Sequence, residues 1–88
     1  MDITALKPKL RLQNRLAILL YQKELRDKRR VTQTEVAAAI GVSRATITNW
    51  MYNDVTKFEA HIIEGLCAFF ECGLCDLLYL EDVSDEEE

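Results

Sequence analysis

Three cysteines and a histidine are the side chains in this 88-residue sequence best suited to hold a metal or to act as nucleophiles. Cys67, Cys72 and Cys75 give C-x4-C-x2-C, and His61 lies six residues before the first, so a histidine-plus-three-thiolate zinc set is complete in number. Its spacing fails. On one helix His61 and Cys67 are separated by about 600° of rotation at ~100° per residue, which puts them on opposed faces. An iron–sulfur cluster would lack its fourth cysteine. The thiols read instead as small apolar residues, with Cys67 and Cys72 at core-facing positions. A redox-sensing thiol, Cys75 first, is the lesser alternative, and an odd count in a reducing compartment needs no disulfide. No metal and no cofactor is expected. With no glycine-rich phosphate loop and no paired carboxylates, the sequence reads as no enzyme.

A second set of polar side chains offers hydrogen bonds rather than covalent chemistry. Arg44, Ala45, Thr46, Thr48, Asn49 and Tyr52 are the outward positions of a short amphipathic helix from Arg44 to about Tyr52, and Gln33 opens another, Gln33 to Ile40. Gly41, Val42 and Ser43 separate the two, the outline of a helix-turn-helix. Ala37 is small where the helices would cross, and Gly41 supplies the positive φ of a tight turn. Val36 and Ile40 share one face, Ile47 and Trp50 another, and Val42 bridges the turn. Thr32 and Glu35 form a capping-box pattern, and Ser43 is a ready N-cap. The spacing of Trp50 from Ile47 assigns it to the core rather than to stacking on a base.

Gln33, Ala37, Gly41, Ser43, Ile47 and Trp50 fall where the Cro-like, or Xre-type, phage-repressor helix-turn-helix family places its recurring Gln, small residue, turn Gly, N-cap and two core positions. The sequence resembles that family, and Leu66 to Leu78 is similar to its closing pattern of a helix, a polar break and a short Asp-Leu-Leu helix. The resemblance spans roughly Leu10 to Glu81. It implies an all-α fold, a compact five-helix lambda-repressor-like DNA-binding domain with room for very short strands near the termini. It implies a small transcriptional regulator, a repressor, acting as a homodimer on double-stranded DNA. In such a fold the second helix of the motif enters the major groove. Arg44 could then donate twice to guanine O6 and N7, Asn49 could pair with adenine N6 and N7, and Ala45 could lie against a thymine methyl. Gln33 resembles the family Gln that contacts a phosphate and braces the recognition helix. Thr46, Asn53 and Lys57 are further phosphate candidates. The bland alternative makes Thr46, Thr48 and Asn49 merely a soluble helix face.

The elements that must position these residues follow from the rest of the chain. Hydrophobic content is 49%, with three glycines and one proline, which suits one small, mostly helical domain. Overall charge is −4, yet residues 1–30 carry +6 and residues 58–88 carry −10, so one end can face a phosphate backbone while the other faces away. Residues 1–9 read as an arm, 10–81 as the domain and 82–88 as an acidic disordered tail. A first helix is expected from about Asn14 to Lys28, with Leu16, Leu19 and Leu20 on its core face and Ile18 and Leu25 adding to it. Its basic end, Arg26, Lys28, Arg29 and Arg30, is either a solvated face or a set of phosphate contacts. The family often has Gly or Asn where Arg30 stands, so either Arg30 is left-handed, at a cost on the order of 1 kcal/mol, or the connection is built differently.

A polar loop, 52–57, places Asn53 where a left-handed residue is tolerated. A fourth helix is expected from about Phe58 to Glu71, ended by Gly73, and Asp76 to Leu80 forms a last turn of helix or strand. Leu10-Arg11-Leu12 could pair with Leu78-Tyr79-Leu80. The first guess for a dimer surface is the last two helices, with Phe58, Phe69, Leu74 and Tyr79. With no signal segment or membrane span in view, the expected compartment is the cytoplasm. The alternative function is a protein-interaction module, an antitoxin or adaptor, whose acidic C-terminal third binds a basic partner.

Overall fold

The computed structural model describes residues 9–83. Five helices are framed by two strands: β1 (Leu10–Asn14), α1 (Leu16–Asp27), α2 (Gln33–Ile40), α3 (Arg44–Met51), α4 (Ala60–Phe70), α5 (Leu74–Leu77) and β2 (Leu78–Asp82). The fold class is the expected all-helical one with short strands near the ends. β1 and β2 pair antiparallel, with Leu12 opposite Leu80, Leu10 opposite Asp82 and Asn14 opposite Leu78. The ribbon is thus longer than the three-residue pairing expected. Order also runs past the expected start of the tail: Asp82 closes β2, and Val83 is buried with its N–H donating to Lys9 O at 2.8 Å. The rest of the expected arm and tail lies outside the described residues.

The core gathers one stripe from each helix. Leu16 from α1, Val36 and Ala37 from α2, Ile47 and Trp50 from α3, Ile62, Leu66 and Phe70 from α4, and Leu77 from α5 are all buried, with Val31 plugging the α1–α2 connection. Each such large side chain contributes about 1.5–3 kcal/mol on leaving water. Ile62, Leu66 and Phe70 recur every four residues, so one face of α4 is apolar over its whole length. Phe58 precedes that helix instead of opening it, its ring meeting Trp50 edge-on at 5.5 Å. Gly65 lets α4 press against α2: a Cβ there would stand 2.9 Å from Ile40 Cβ.

Several boundaries differ from expectation for local reasons. Asn14 ends β1 rather than starting α1, because its Oδ1 accepts the Leu16 N–H at 2.8 Å and so caps the helix from outside. At the other end of α1 the left-handed residue is Lys28, φ 55°, and Arg30 is spared. The Glu24 carboxylate then secures the connection by accepting the Val31 N–H at 2.9 Å. Ile18 and Leu25 point to water, 52% and 61% exposed, since α1 is apolar on two sides and only the Leu16 side meets the core. α4 ends at a left-handed Glu71, φ 52°, and Gly73 instead caps α5, its N–H donating to Asp76 Oδ2 at 3.0 Å. Asp76 to Leu80 therefore divides between the end of α5 and the first half of β2.

Candidate nucleic-acid interface

The α2–α3 unit forms because its ends are closed locally. Thr32 Oγ1 accepts the Glu35 N–H at 3.0 Å, and Ser43 Oγ accepts the Thr46 N–H at 3.2 Å. Gly41 takes φ 76°, and its N–H and that of Val42 both return to Ala37 O. Beneath the turn, Val36, Ala37, Ile47 and Trp50 are buried. Trp50 is thus a core residue, as its spacing indicates.

The outward side chains of α3 then lie where that scaffold puts them. Arg44, Ala45, Thr48 and Asn49 line one shallow depression of about 350 Å³. Thr46, Asn49, Trp50, Asp54, Val55 and Lys57 line a second, of about 140 Å³. Gln33 and Arg44 share a third, a cleft of about 650 Å³ lined also by Leu20, Glu24, Arg30, Val31, Thr32 and Thr34. Gln33 Oε1 accepts a hydrogen bond of 2.6 Å from Thr48 Oγ1, so the first residue of α2 holds the middle of α3. Thr48 is consequently half-buried and its hydroxyl proton committed, whereas Arg44 and Asn49 stay exposed. Thr46 Oγ1 contacts Ser43 Oγ at 3.0 Å.

Asn53 stands apart from this grouping. It is left-handed at φ 58°, as anticipated, but its Oδ1 is aimed inward, accepting from Asn14 N at 2.8 Å and Asn14 Nδ2 at 2.9 Å. Its amide nitrogen is the group left for a ligand.

The basic end of α1 is split among uses. Arg29 forms a bidentate pair with Glu35, 2.8 and 3.0 Å, and Arg26 and Lys23 approach Asp27 at 3.6 and 3.3 Å. The Arg29 hydrogen bonds hold the Glu35 carboxyl below its ordinary value, with the Thr32 N–H a smaller help. Lys23 does the same for Asp27. Arg30 goes to the cleft beside Gln33. Arg44 makes no ion pair with any described residue. Tyr52, expected on the outward side, is 77% exposed and closes α3 one turn beyond Asn49. Thr34, which the sequence reading does not single out as a contact, lines the cleft, and its position in the first turn of α2 is the available signal.

At the other end of the molecule, Cys67 and Cys72 pack half-buried against the core while Cys75 is exposed. Burial, with the neighbouring Cys67, pushes the Cys72 thiol up. Among the described residues no group of three or more metal-ligating side chains converges, and no helix is long and apolar enough to cross a membrane.

Residues 23–82 match the model of the Cro/C1-type helix-turn-helix DNA-binding domain. No curated protein matches the chain. A crystal structure of a Bacteroides fragilis protein to which DNA binding has been ascribed is similar at a TM-score of 0.63 and 20% identity, covering 78% of this chain and 100% of that one. At that identity the likeness speaks for the fold.

Proposed function

The chain belongs to the Cro/C1-type helix-turn-helix DNA-binding family, and from that premise we propose that it binds duplex DNA sequence-specifically as a small transcriptional repressor, with α3 in the major groove. The observation that carries this is the convergence of Arg44, Ala45, Thr48 and Asn49 in one shallow depression on a helix braced from behind by Gln33. Arg44 donates to guanine O6 and N7, Asn49 pairs with adenine, and Ala45 lies against a thymine methyl. Thr48 positions rather than reads, because its proton is held by Gln33.

Phosphates are met by the Gln33 amide at the N-terminus of α2, by Arg30 beside it, and by Thr46, Lys57 and the Asn53 amide nitrogen on the far flank. A single module of this size covers too little DNA for high selectivity, so two copies act on a two-fold-related site. A bound pair excludes other proteins from the groove it fills, which gives the regulator its repressing sense.

The test is binding to duplexes selected from a random pool, followed by fluorescence anisotropy, for the wild type and Arg44→Ala. A consistent palindromic site is expected, with Arg44→Ala costing about 1–3 kcal/mol at one base pair and relaxing preference there. No enriched site and an inert Arg44→Ala would instead favour a protein partner for the acidic C-terminal third.

A further inference from the structure

Three helices of this fold close in the same way. Each ends on a left-handed residue, Lys28, Gly41 or Glu71, and the next residue donates its N–H back to the carbonyl five positions earlier. The pairs are Arg29 with Glu24 at 3.3 Å after α1, Val42 with Ala37 at 3.0 Å after α2, and Cys72 with Cys67 at 3.0 Å after α4. Such a closure sets the two side chains against each other, and an apolar contact between them often accompanies it. Ala37 and Val42 fit that pattern. Glu24 and Arg29 turn to the Val31 N–H and to Glu35. After α4 the facing side chains are two thiols.

Both thiols are half-buried against the core, and the Cys67 side chain reaches the Cys72 sulfur. The backbone limits their separation. One N–Cα bond and one carbonyl group flank the 3.0 Å hydrogen bond, so the two Cα atoms stand within about 7 Å even along a straight path. The path bends, which brings them into the roughly 4.4–6.8 Å that a disulfide spans. Cys75, the thiol first favoured from the sequence for redox sensing, stands exposed in the first turn of α5.

We propose that Cys67 and Cys72 form a reversible disulfide, a modification site that takes a small-molecule disulfide as its oxidant and latches the end of α4. Cys72 lines a cleft of about 360 Å³ between α1 and the α4–α5 corner, which Cys67 does not line, so the oxidant meets Cys72 first. The Cys72 thiolate attacks one sulfur of the oxidant RSSR, whose S–S bond breaks. Cys72 is left as the mixed disulfide, and the departing RS⁻ takes up a proton in place of the one Cys72 lost. Cys67, deprotonated in turn, attacks the Cys72 sulfur and expels the second RS⁻, which is protonated likewise. Two protein thiols are thereby oxidised to one disulfide, and RSSR is reduced to two RSH.

The surroundings make this a slow couple. Burial, with Cys67 alongside, holds the Cys72 thiol above its ordinary value, so few thiolates attack and the sulfur leaves reluctantly once bonded. The bond then answers to the lasting redox state and not to brief pulses. It removes conformations from the unfolded chain while joining groups that already meet in the folded one, so the oxidised form is the more stable. Neither cysteine lines the depressions on the α3 face. Oxidation therefore changes how long the fold persists and leaves the surface that α3 presents as it was.

The probe is glutathione disulfide, applied to the folded full chain as wild type, Cys75→Ser and Cys67→Ala, with remaining thiols alkylated and the protein digested by a glutamyl endopeptidase. That enzyme cuts after Glu64, Glu71 and Glu81, so peptides 65–71 and 72–81 separate Cys67 from Cys72. In wild type and Cys75→Ser the two peptides should appear joined, two hydrogens lighter than their sum, and come apart with dithiothreitol. Cys67→Ala should yield no joined pair. Oxidised Cys75→Ser should melt several degrees above its reduced form, a shift that Cys67→Ala does not show.

Thiols that stay alkylatable after oxidation, or that close only in denaturant, would overturn the proposal. So would glutathione retained on Cys72 without closure, a bridge confined to peptide 72–81, or one that joins two copies. An oxidised Cys75→Ser that melts below its reduced form would show that the bond strains the helix end, and would overturn the latch. No readout involves DNA, so the outcome is separate from the reading of α3.

Discussion

Asn14 is the one buried polar side chain among the described residues, and with its own backbone N–H it makes three hydrogen bonds to two groups. It accepts from Leu16, and through its own N–H and Nδ2 it holds Asn53 Oδ1. Asn14→Ala should destabilise the fold by about 1–3 kcal/mol, because the Leu16 N–H is left unsatisfied in a buried place. Thermal unfolding against wild type measures it, and an unchanged midpoint would mean that water replaces the amide.

This link was not legible in the sequence. Asn14 and Asn53 are 39 positions apart, and neither periodicity nor motif spacing relates them. The left-handed caps at Lys28 and Glu71 were equally silent, since long charged side chains give no hint of positive φ. Gly65 did leave a trace, as a glycine inside a helix is costly unless something needs the room. Gly65→Ala gains helix propensity but forces a Cβ against Ile40, and a net loss of about 1–2 kcal/mol is expected by the same unfolding assay. A gain would show that α4 can shift outward.

At the scale of elements, α2 and α3 were readable almost to the residue, and for a physical reason. Their caps are local chemistry, a threonine, a glycine and a serine, each acting within three or four positions of itself. α1 was less so, because apolar residues on two sides leave sequence alone unable to choose the stripe that meets the core. Ser43→Ala removes the acceptor for the Thr46 N–H and should lower stability by about 1 kcal/mol. Half-site affinity should fall with it as the first turn of α3, which carries Arg44, frays.

The start of α2 is also pH-sensitive. The Glu35 carboxyl is held below its ordinary value chiefly by Arg29, so its contribution is full above the unfolded value and fades as pH falls through the folded one. Wild type should lose more stability than Glu35→Gln between neutral and strongly acid pH. High salt should shrink that difference, since the pair is exposed.

For the molecule as a whole, total charge misleads and its distribution informs. The chain is acidic overall, yet Arg30, Arg44 and Lys57 surround the α3 face, with Arg30 and Arg44 in one cleft and Lys57 in another depression. If Arg30 and Lys57 each neutralise one phosphate while Arg44 reads a base, the logarithm of half-site affinity should fall with the logarithm of salt at a slope of about −2. Lys57→Ala should flatten that slope by about 0.9 while leaving base preference alone. A loss of preference would make Lys57 a base reader instead.

The hydrogen bond from Val83 to Lys9 has a topological consequence as well. It brings the two ends of the described fold to one corner, so the path of the backbone through the domain is nearly a closed circle. A closed circle can be cut elsewhere. Joining Val83 to Lys9 through a short linker and opening the chain in the polar stretch between α3 and α4 would give a permuted protein with the same core and the same α2–α3 unit, one whose order of synthesis begins with α4 and ends with α3.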